Sequence, residues 1–379
     1  MPTPSLLIVP ARFKTGKLYS QIPTSGAGDF TVTRNTEARR FNSAGLIESV
    51  ASGIPRLDYF TSGGVTGCPA LLVEPAATNL ALHSRDLSNA VWSGTNVTRA
   101  KNAVGADGVA SGATTLTATA ASGTVLQAIV NISQSRVFSA YVRRVTGTGA
   151  IQMTTNGGTN WTTVTISSLY TQVACAAQTV ASGTIGFRMA VSGDVIEVDF
   201  TQGEVGPVAT SPIVTTAASG SRSADVISVS GAVSGSIGQT EGTLYVECDS
   251  SNGADDVIMI NQSIQSAVIL LKDANNSYIG RIIHGSGSPT FFSFTTATGT
   301  TGFVKIALAY KSGNSAMFMN GTQVGSTNTS NWAFTNALNR FLIDKATNFF
   351  AGLKTTRIRA AALYTTRLTN AELATLTTL

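Results

Sequence analysis

The sequence predicts an all-β protein: an extended N-terminal arm, two β-sandwich domains, and a short C-terminal helix. Three observations carry this reading. Of the 379 residues, 43% are hydrophobic and only 12% charged, against roughly a quarter charged in an average soluble domain. The apolar residues recur in short alternating runs, the period-two pattern of strands with one buried face. Gly, Ser, Thr and Asn fill the positions between these runs, and they supply turn chemistry. Disorder would require low hydrophobicity with high charge, so it is excluded. The length is too great for one ordinary core and suits two domains plus an extension.

Residues 1–78 hold few clean alternating runs and many Gly and Pro, which predicts an extended arm with short strands. Pro55 and Pro75 fix turns there, and Leu46, Ile47, Leu71 and Leu72 are the residues expected to be buried. The pattern changes at Asn79, where a first sandwich is expected over 79–215. Phe138, Ala140 and Val142 share one face of an alternating run. Asp194 to Phe200 alternates through Val195, Val198 and Phe200, with a phase slip at Ile196. Residues 201–223 end in a polar Ser/Gly/Ala stretch that reads as a linker.

A second sandwich is expected over 222–379. Leu244, Val246 and Cys248 fall on one face, as do Val304, Ile306, Leu308 and Tyr310. Asn320-Gly321 sits at the tip of a hairpin, because a two-residue type I′ loop needs φ > 0 at both positions. A late strand runs from Arg357 to Tyr364. Thr369-Asn370-Ala371-Glu372 is a capping box opening a short helix, with Leu368 and Leu373 at the staple positions and Leu376 extending the apolar stripe.

The formal charge of +5 comes without basic runs beyond Arg39-Arg40 and Arg143-Arg144. A nucleic-acid partner needs a clustered basic footprint, so none is expected. Arg357 and Arg359 share one strand face and read as a solvated outer surface. Cys68, Cys175 and Cys248 lie far apart without metal spacing and are expected to be buried apolar thiols. The opening MPTPSLLIVPARFK carries Pro at positions 2, 4 and 10 and no basic segment, so it does not read as a signal peptide. No run approaches the ~20 apolar residues of a membrane span, and no membrane insertion is expected.

Several spaced motifs then bear on kind. Gly45-Leu46-Ile47-Glu48, Pro55-Arg56-Leu57-Asp58-Tyr59, Leu71-Leu72-Val73-Glu74 and Thr78-Asn79-Leu80 resemble a segment of bacteriophage tail and other virion surface proteins. Ser84 to Trp92, the Gly105–Gly108 turn and the Thr/Ala strand from Ala113 to Ala120 resemble a carbohydrate-binding-module-type jelly roll of phage tail proteins. Gln202, Glu204, Gly206, Ala209-Thr210-Ser211, Ile213 and Thr215 are similar to the junction that closes such modules. The order of strand, Asn-Gly hairpin, strand and Leu-Thr-Asn-Ala-Glu-Leu over 222–379 resembles concanavalin/laminin-G-like domains.

The resemblance implies a virion protein assembled in the bacterial cytoplasm. Residues 1–78 would attach to other virion proteins, and the sandwiches would bind a host-surface polysaccharide. A homotrimer is the family expectation. A tail fibre or tail-tip protein is the leading role; a head fibre, capsid decoration or baseplate protein with a purely structural role is the alternative, and a glycan-degrading enzyme ranks third.

Catalysis is not expected. The two histidines, His83 and His284, stand in no triad-like setting, and a hydrolase would need two carboxylates facing a cleft. Asp249, Asp255, Asp256 and Asp273 could supply such a pair, but successive residues on a strand point to opposite faces. No metal site is assigned. Calcium is the one cofactor that lectin-like domains leave open, with Asp249, Asp255, Asp256, Asp273 and Asn275 as oxygen donors. For glycan contact the candidates are Trp161, in a Gly/Asn loop, and Trp332, after the hairpin, though core packing is the leading reading of both because tryptophan is most often largely buried. Trp92 belongs to the module lead-in and reads as core.

Overall fold

The computed structural model describes residues 1–62, 65–129, 134–180, 183–250, 255–263, 265–285, 290–343 and 355–379. Its strands pair antiparallel, and Asn370–Thr377 is the α-helix. The chain divides into two compact units. A middle unit gathers 36–49 and 76–223, and a C-terminal unit gathers 1–35, 50–75 and 224–379.

The middle unit is a sandwich of an eight-stranded and a five-stranded sheet. In the larger sheet, Val195–Val205 is flanked by Ala113–Ala118 and by the long strand Gln134–Thr146. The smaller sheet orders Ser93–Thr95, Gly123–Ile129, Gly183–Met189, Ile151–Thr154 and Thr162–Val164. Phe138, Ala140 and Val142 face inward as their alternation requires, and Phe138 meets Phe187 edge-on at 5.2 Å. The phase slip at Ile196 resolves in favour of Ile196 and Val198 as the core pair. Phe200 has φ 46° and turns into a separate cluster with Ile47, Ala106 and Tyr141.

The C-terminal unit pairs an eight-stranded with a nine-stranded sheet. Leu244, Val246 and Cys248, with Val304, Ile306, Leu308 and Tyr310, line its core. Asn320 and Gly321 both take positive φ, 50° and 81°, at the hairpin tip. Glu372 N donates to Thr369 Oγ1 at 3.3 Å and Thr369 N donates to the Glu372 carboxylate at 2.7 Å. The helix so capped lays Leu373 over Tyr245, Ala307 and Phe318 on the outer side of the eight-stranded sheet.

Residues 1–75 do not stand apart as an extended arm. Leu6–Ile8 and Ala70–Val73 both pair with Thr356–Tyr364, and Phe30–Thr33 pairs with Val226–Ser230. Each of these strands is three to five residues long except Thr356–Tyr364, which has nine. Runs that short show little periodicity, and their partners lie far along the sequence, so composition alone suggests an irregular arm. The hairpin Ala38–Phe41 and Ile47–Val50 is set largely in the middle unit, where Phe41 and Ile47 pack on Tyr141 and Phe200.

A sealed ionic cluster holds the early strands in the C-terminal unit. Arg34 Nη1 donates to Asp225 Oδ1 at 2.9 Å, and Arg56 Nη1 donates to Glu74 Oε2 at 2.7 Å. Arg56 Nη2 closes the set on Asp225 Oδ2. Thr355 Oγ1 donates to Glu74 Oε1 at 3.0 Å. Arg34, Arg56, Glu74 and Asp225 are each at most 2% exposed. Burial alone would lower the Arg56 pKa, but Asp225 and Glu74 outweigh it and hold the guanidinium above its ordinary value.

Removing one member leaves an uncompensated buried charge, which costs about 3–5 kcal/mol. Asp225→Ala is therefore expected to destabilise the C-terminal unit by about 3–5 kcal/mol in denaturant unfolding. A loss under about 1 kcal/mol, the range of exposed ion pairs, would show that the cluster is not sealed.

Candidate functional site

The outer face of the five-stranded sheet carries a row of polar side chains beside Trp161. Register sets Thr95 opposite Thr124, Thr124 opposite Arg188, Arg188 opposite Gln152, and Gln152 opposite Thr163. Alternation turns their neighbours Val125, Phe187 and Met153 into the core, so this row faces outward. Five strands at a spacing of ~4.8 Å make the row roughly 19 Å wide. Arg188 Nε donates to Gln152 Oε1 at 2.7 Å, and Gln152 Nε2 donates to Thr163 Oγ1 at 3.3 Å.

Trp161 sits over this row, half-buried, with the Arg188 guanidinium 4.7 Å from its ring centroid. The loop before it is tied down from within. Thr154 Oγ1 accepts from the amides of Asn156 and Gly158, and Asn156 Oδ1 accepts from Asn160 N. Gly158 has φ 92°, and a Cβ there would lie 2.8 Å from the Trp161 ring. A side chain at 158 would push the indole aside, so glycine is required at this point. The result is an aromatic ring, a guanidinium and an amide held in one partly solvated patch.

The other tryptophans are placed differently. Trp332 is 8% exposed and packs 4.8 Å from Phe334, with His284 and Phe292 alongside. Its ring belongs to the sandwich core, so it leaves the set of glycan contacts; a loop position in sequence did not reveal that the loop folds back over the sheets. Trp92 is fully buried, and its Nε1 donates to Leu82 O.

The strongest carboxylate pair, Asp107 and Asp199, was not singled out in the sequence. Arg85 binds both, with contacts of 2.7 and 2.8 Å to Asp107 and 2.8 and 2.9 Å to Asp199. Burial raises the Asp199 pKa, whereas Arg85 pulls the Asp107 pKa below the ordinary value against the opposing effect of its own burial. The remaining lone pairs accept from Ala106 N, Phe200 N and Val109 N. The pair braces a turn and leaves no acid and base open to a substrate.

His83 and His284 contact no carboxylate through any ion pair among the described residues. Asp273 Oδ1 accepts from Asn275 N and Ser277 N at 2.9 and 2.8 Å, a turn cap. The side chains of Asp255 and Asp256, and residues Ser286 and Gly287 after His284, lie outside the described residues. Among the described residues no group of three or more His, Cys, Asp or Glu is placed to hold a metal ion. Cys175 and Cys248 are buried, and burial pushes the Cys175 thiol up to about 12, but Cys68 is exposed. Arg357 and Arg359 are not freely solvated: Arg357 pairs with Asp58 at 2.8 Å, and Arg359 lies 3.7 Å from the Phe303 ring centroid. No described helix is long and apolar enough to cross a membrane.

No protein-family model matches the chain, and no curated protein matches it. Among solved structures, leech intramolecular trans-sialidase bound to 2,7-anhydro-Neu5Ac is similar at a TM-score of 0.31 and 16% identity, over 37% of this chain and 23% of that one. Trypanosoma rangeli sialidase is similar at a TM-score of 0.29 and 14% identity, over 36% and 22%. The binding domain of botulinum neurotoxin DC in complex with rat synaptotagmin II is similar at a TM-score of 0.33 and 9% identity, over 40% of each. The chain thus spans well under two-thirds of each of these structures, and likenesses of this size carry no functional argument.

The two tryptophans should separate in stability. Trp332→Ala is expected to cost about 3–5 kcal/mol, as for a large core side chain. Trp161→Ala is expected to cost about 1 kcal/mol or less. Thermal and denaturant unfolding would check the order, and the reverse order would put Trp161 in the core.

Proposed function

We propose that the chain is a bacteriophage virion protein, a tail-fibre or tail-tip component that binds a host-surface polysaccharide through the outer face of its five-stranded sheet. The observation that carries this reading is the Trp161–Arg188 stack set on the Thr95–Thr124–Arg188–Gln152–Thr163 row. A sugar presents a C–H surface and in-plane hydroxyls. The patch offers an indole, a guanidinium, an amide and three threonine hydroxyls across about the width of a short oligosaccharide. The phage assignment is supported by the motifs of residues 45–80 and 202–215. Affinity per site would be modest, and many copies on one particle would raise avidity.

Attachment to other virion proteins, which the sequence assigns to residues 1–78, would run through a folded surface, since these residues contribute strands to both units. A second reading has an observation of its own. Arg56, Asp58, Glu74, Asn79, Gln202 and Glu204, which carry the resemblance, are all buried. They hold architecture together, as a spacer in a head fibre, capsid decoration or baseplate protein would require.

Binding to immobilised lipopolysaccharide or capsule from the host decides between the two. The first reading expects saturable binding that falls at least tenfold, about 1.4 kcal/mol, in Trp161→Ala. Gly158→Ala, which displaces the indole, should weaken binding in the same direction. No binding to any host polysaccharide, or binding indifferent to both substitutions, would leave the spacer role standing.

A further inference from the structure

We propose that the C-terminal unit self-associates through the edge strand Thr290–Thr295, which pairs antiparallel with the same strand of a second copy about a two-fold axis at Ser293. The strand is the last of the nine-stranded sheet, bonded on one side to Tyr278–His284. Its sequence, Thr-Phe-Phe-Ser-Phe-Thr, has six residues with no charge and no proline, and its register runs without a bulge. An open edge of this kind is a template for another strand, and proteins normally blunt it.

The other edges in this molecule are blunted. Phe13–Lys14, Arg56–Asp58, Ser93–Thr95, Thr162–Val164, Thr171–Ala174 and Gly220–Arg222 are two to four residues long. Val97–Ala103 carries Arg99 and Lys101 and a register shift, and Thr322–Asn328 has a register shift beside Gly325 at φ 65°. Thr290–Thr295 alone lacks such a device among the described residues, and Phe291 on it is 55% exposed.

Self-pairing fixes the register. A two-fold axis perpendicular to the sheet keeps each face on its own side, so partners must differ by an even number of positions. An axis at Ser293 sets Phe292 of each copy against Phe294 of the other, two aromatic pairs on the inner face, where both residues already pack on the core. An axis at Phe292 would give a single aromatic pair. The nearby charge is Arg281, opposite Ser293, with its guanidinium over Phe291 at 4.5 Å. The two Arg281 residues would stand three strand spacings apart, ~14 Å, beyond the ~8 Å screening length at physiological salt. The contact is isologous and closes at two copies.

Ser293 is exposed, so substitutions there test the pairing without entering the core. In the 379-residue chain carrying Cys68→Ser, Ser293→Cys is expected to form an intermolecular disulfide on mild oxidation, because position 293 faces itself across the axis. Thr295→Cys, which would face Phe291, is expected to cross-link at least tenfold less. Ser293→Lys sets like charges directly opposite and should shift the dimer toward monomer at least tenfold in sedimentation equilibrium, with the strand signature in circular dichroism retained although the Arg281 Nε to Ser293 Oγ bond is lost. A monomer at every concentration would overturn the proposal. So would a dimer in which Ser293→Cys does not cross-link, or a trimer whose mass Ser293→Lys leaves unaltered.

Discussion

Two arginines and two carboxylates, closed off from water, decide how the C-terminal unit is assembled. Arg34, Arg56, Glu74 and Asp225 come from three separate stretches of chain. A buried charge is tolerated only beside its counter-charge and with its hydrogen bonds made. The requirement is geometric. Arg56 can meet Glu74 and Asp225 together only if Arg56–Asp58 lies against Ala70–Val73 and Asp225 lies beside Glu74, as the Asp225 N to Glu74 O bond of 2.9 Å records. The apolar core supplies most of the driving force for collapse, but it is non-directional. The ion pairs discriminate between one strand order and its alternatives.

The middle unit reaches the same end largely with amide, hydroxyl and carboxylate side chains that bind backbone groups. Asn79 donates through Nδ2 to Thr201 O and Ile213 O, and its Oδ1 accepts from Ala81 N and Gly203 N. Gln202 Oε1 accepts from Ile213 N, and Glu204 accepts from Thr210 N. Thr215 N donates to Ser84 Oγ. Buried backbone groups must find partners, and at the seam where strands end these side chains stand in for a missing ladder. With the seam closed this way, the five-stranded sheet is left free to present an outer face. A rigid face holds Trp161, Arg188 and Gln152 in position before any ligand arrives, which reduces the ordering that binding would require.

Much of the local structure was legible. The faces of Leu244–Cys248 and Phe138–Val142, the Asn320-Gly321 turn and the Thr369–Glu372 cap all follow from residues within a few positions of each other. The candidate surface was legible only in part. Trp161 stood out because an indole in a Gly/Asn loop is unusual, but nothing near it names Arg188, 27 positions later. The motif residues Arg56, Glu74, Gln202 and Glu204 could be seen as a pattern, yet not as inward-facing braces, because a charged residue on a short strand looks the same from either side. Arg85 with Asp107 and Asp199 was invisible for the same reason.

The sequence by itself determined that this is a strand protein, which residues of several long strands face inward, and where several turns and the helix begin. These are properties of neighbours, since side-chain alternation and φ preferences act over one to four residues. Only the tertiary structure decided that the first 75 residues are woven into the sandwiches, that Trp332 is core and Trp161 is not, and that five outward residues form one row. Alternation says which face a side chain takes but not which strand lies beside it. That choice is made by register and by buried charge, between segments that meet only once the chain has folded.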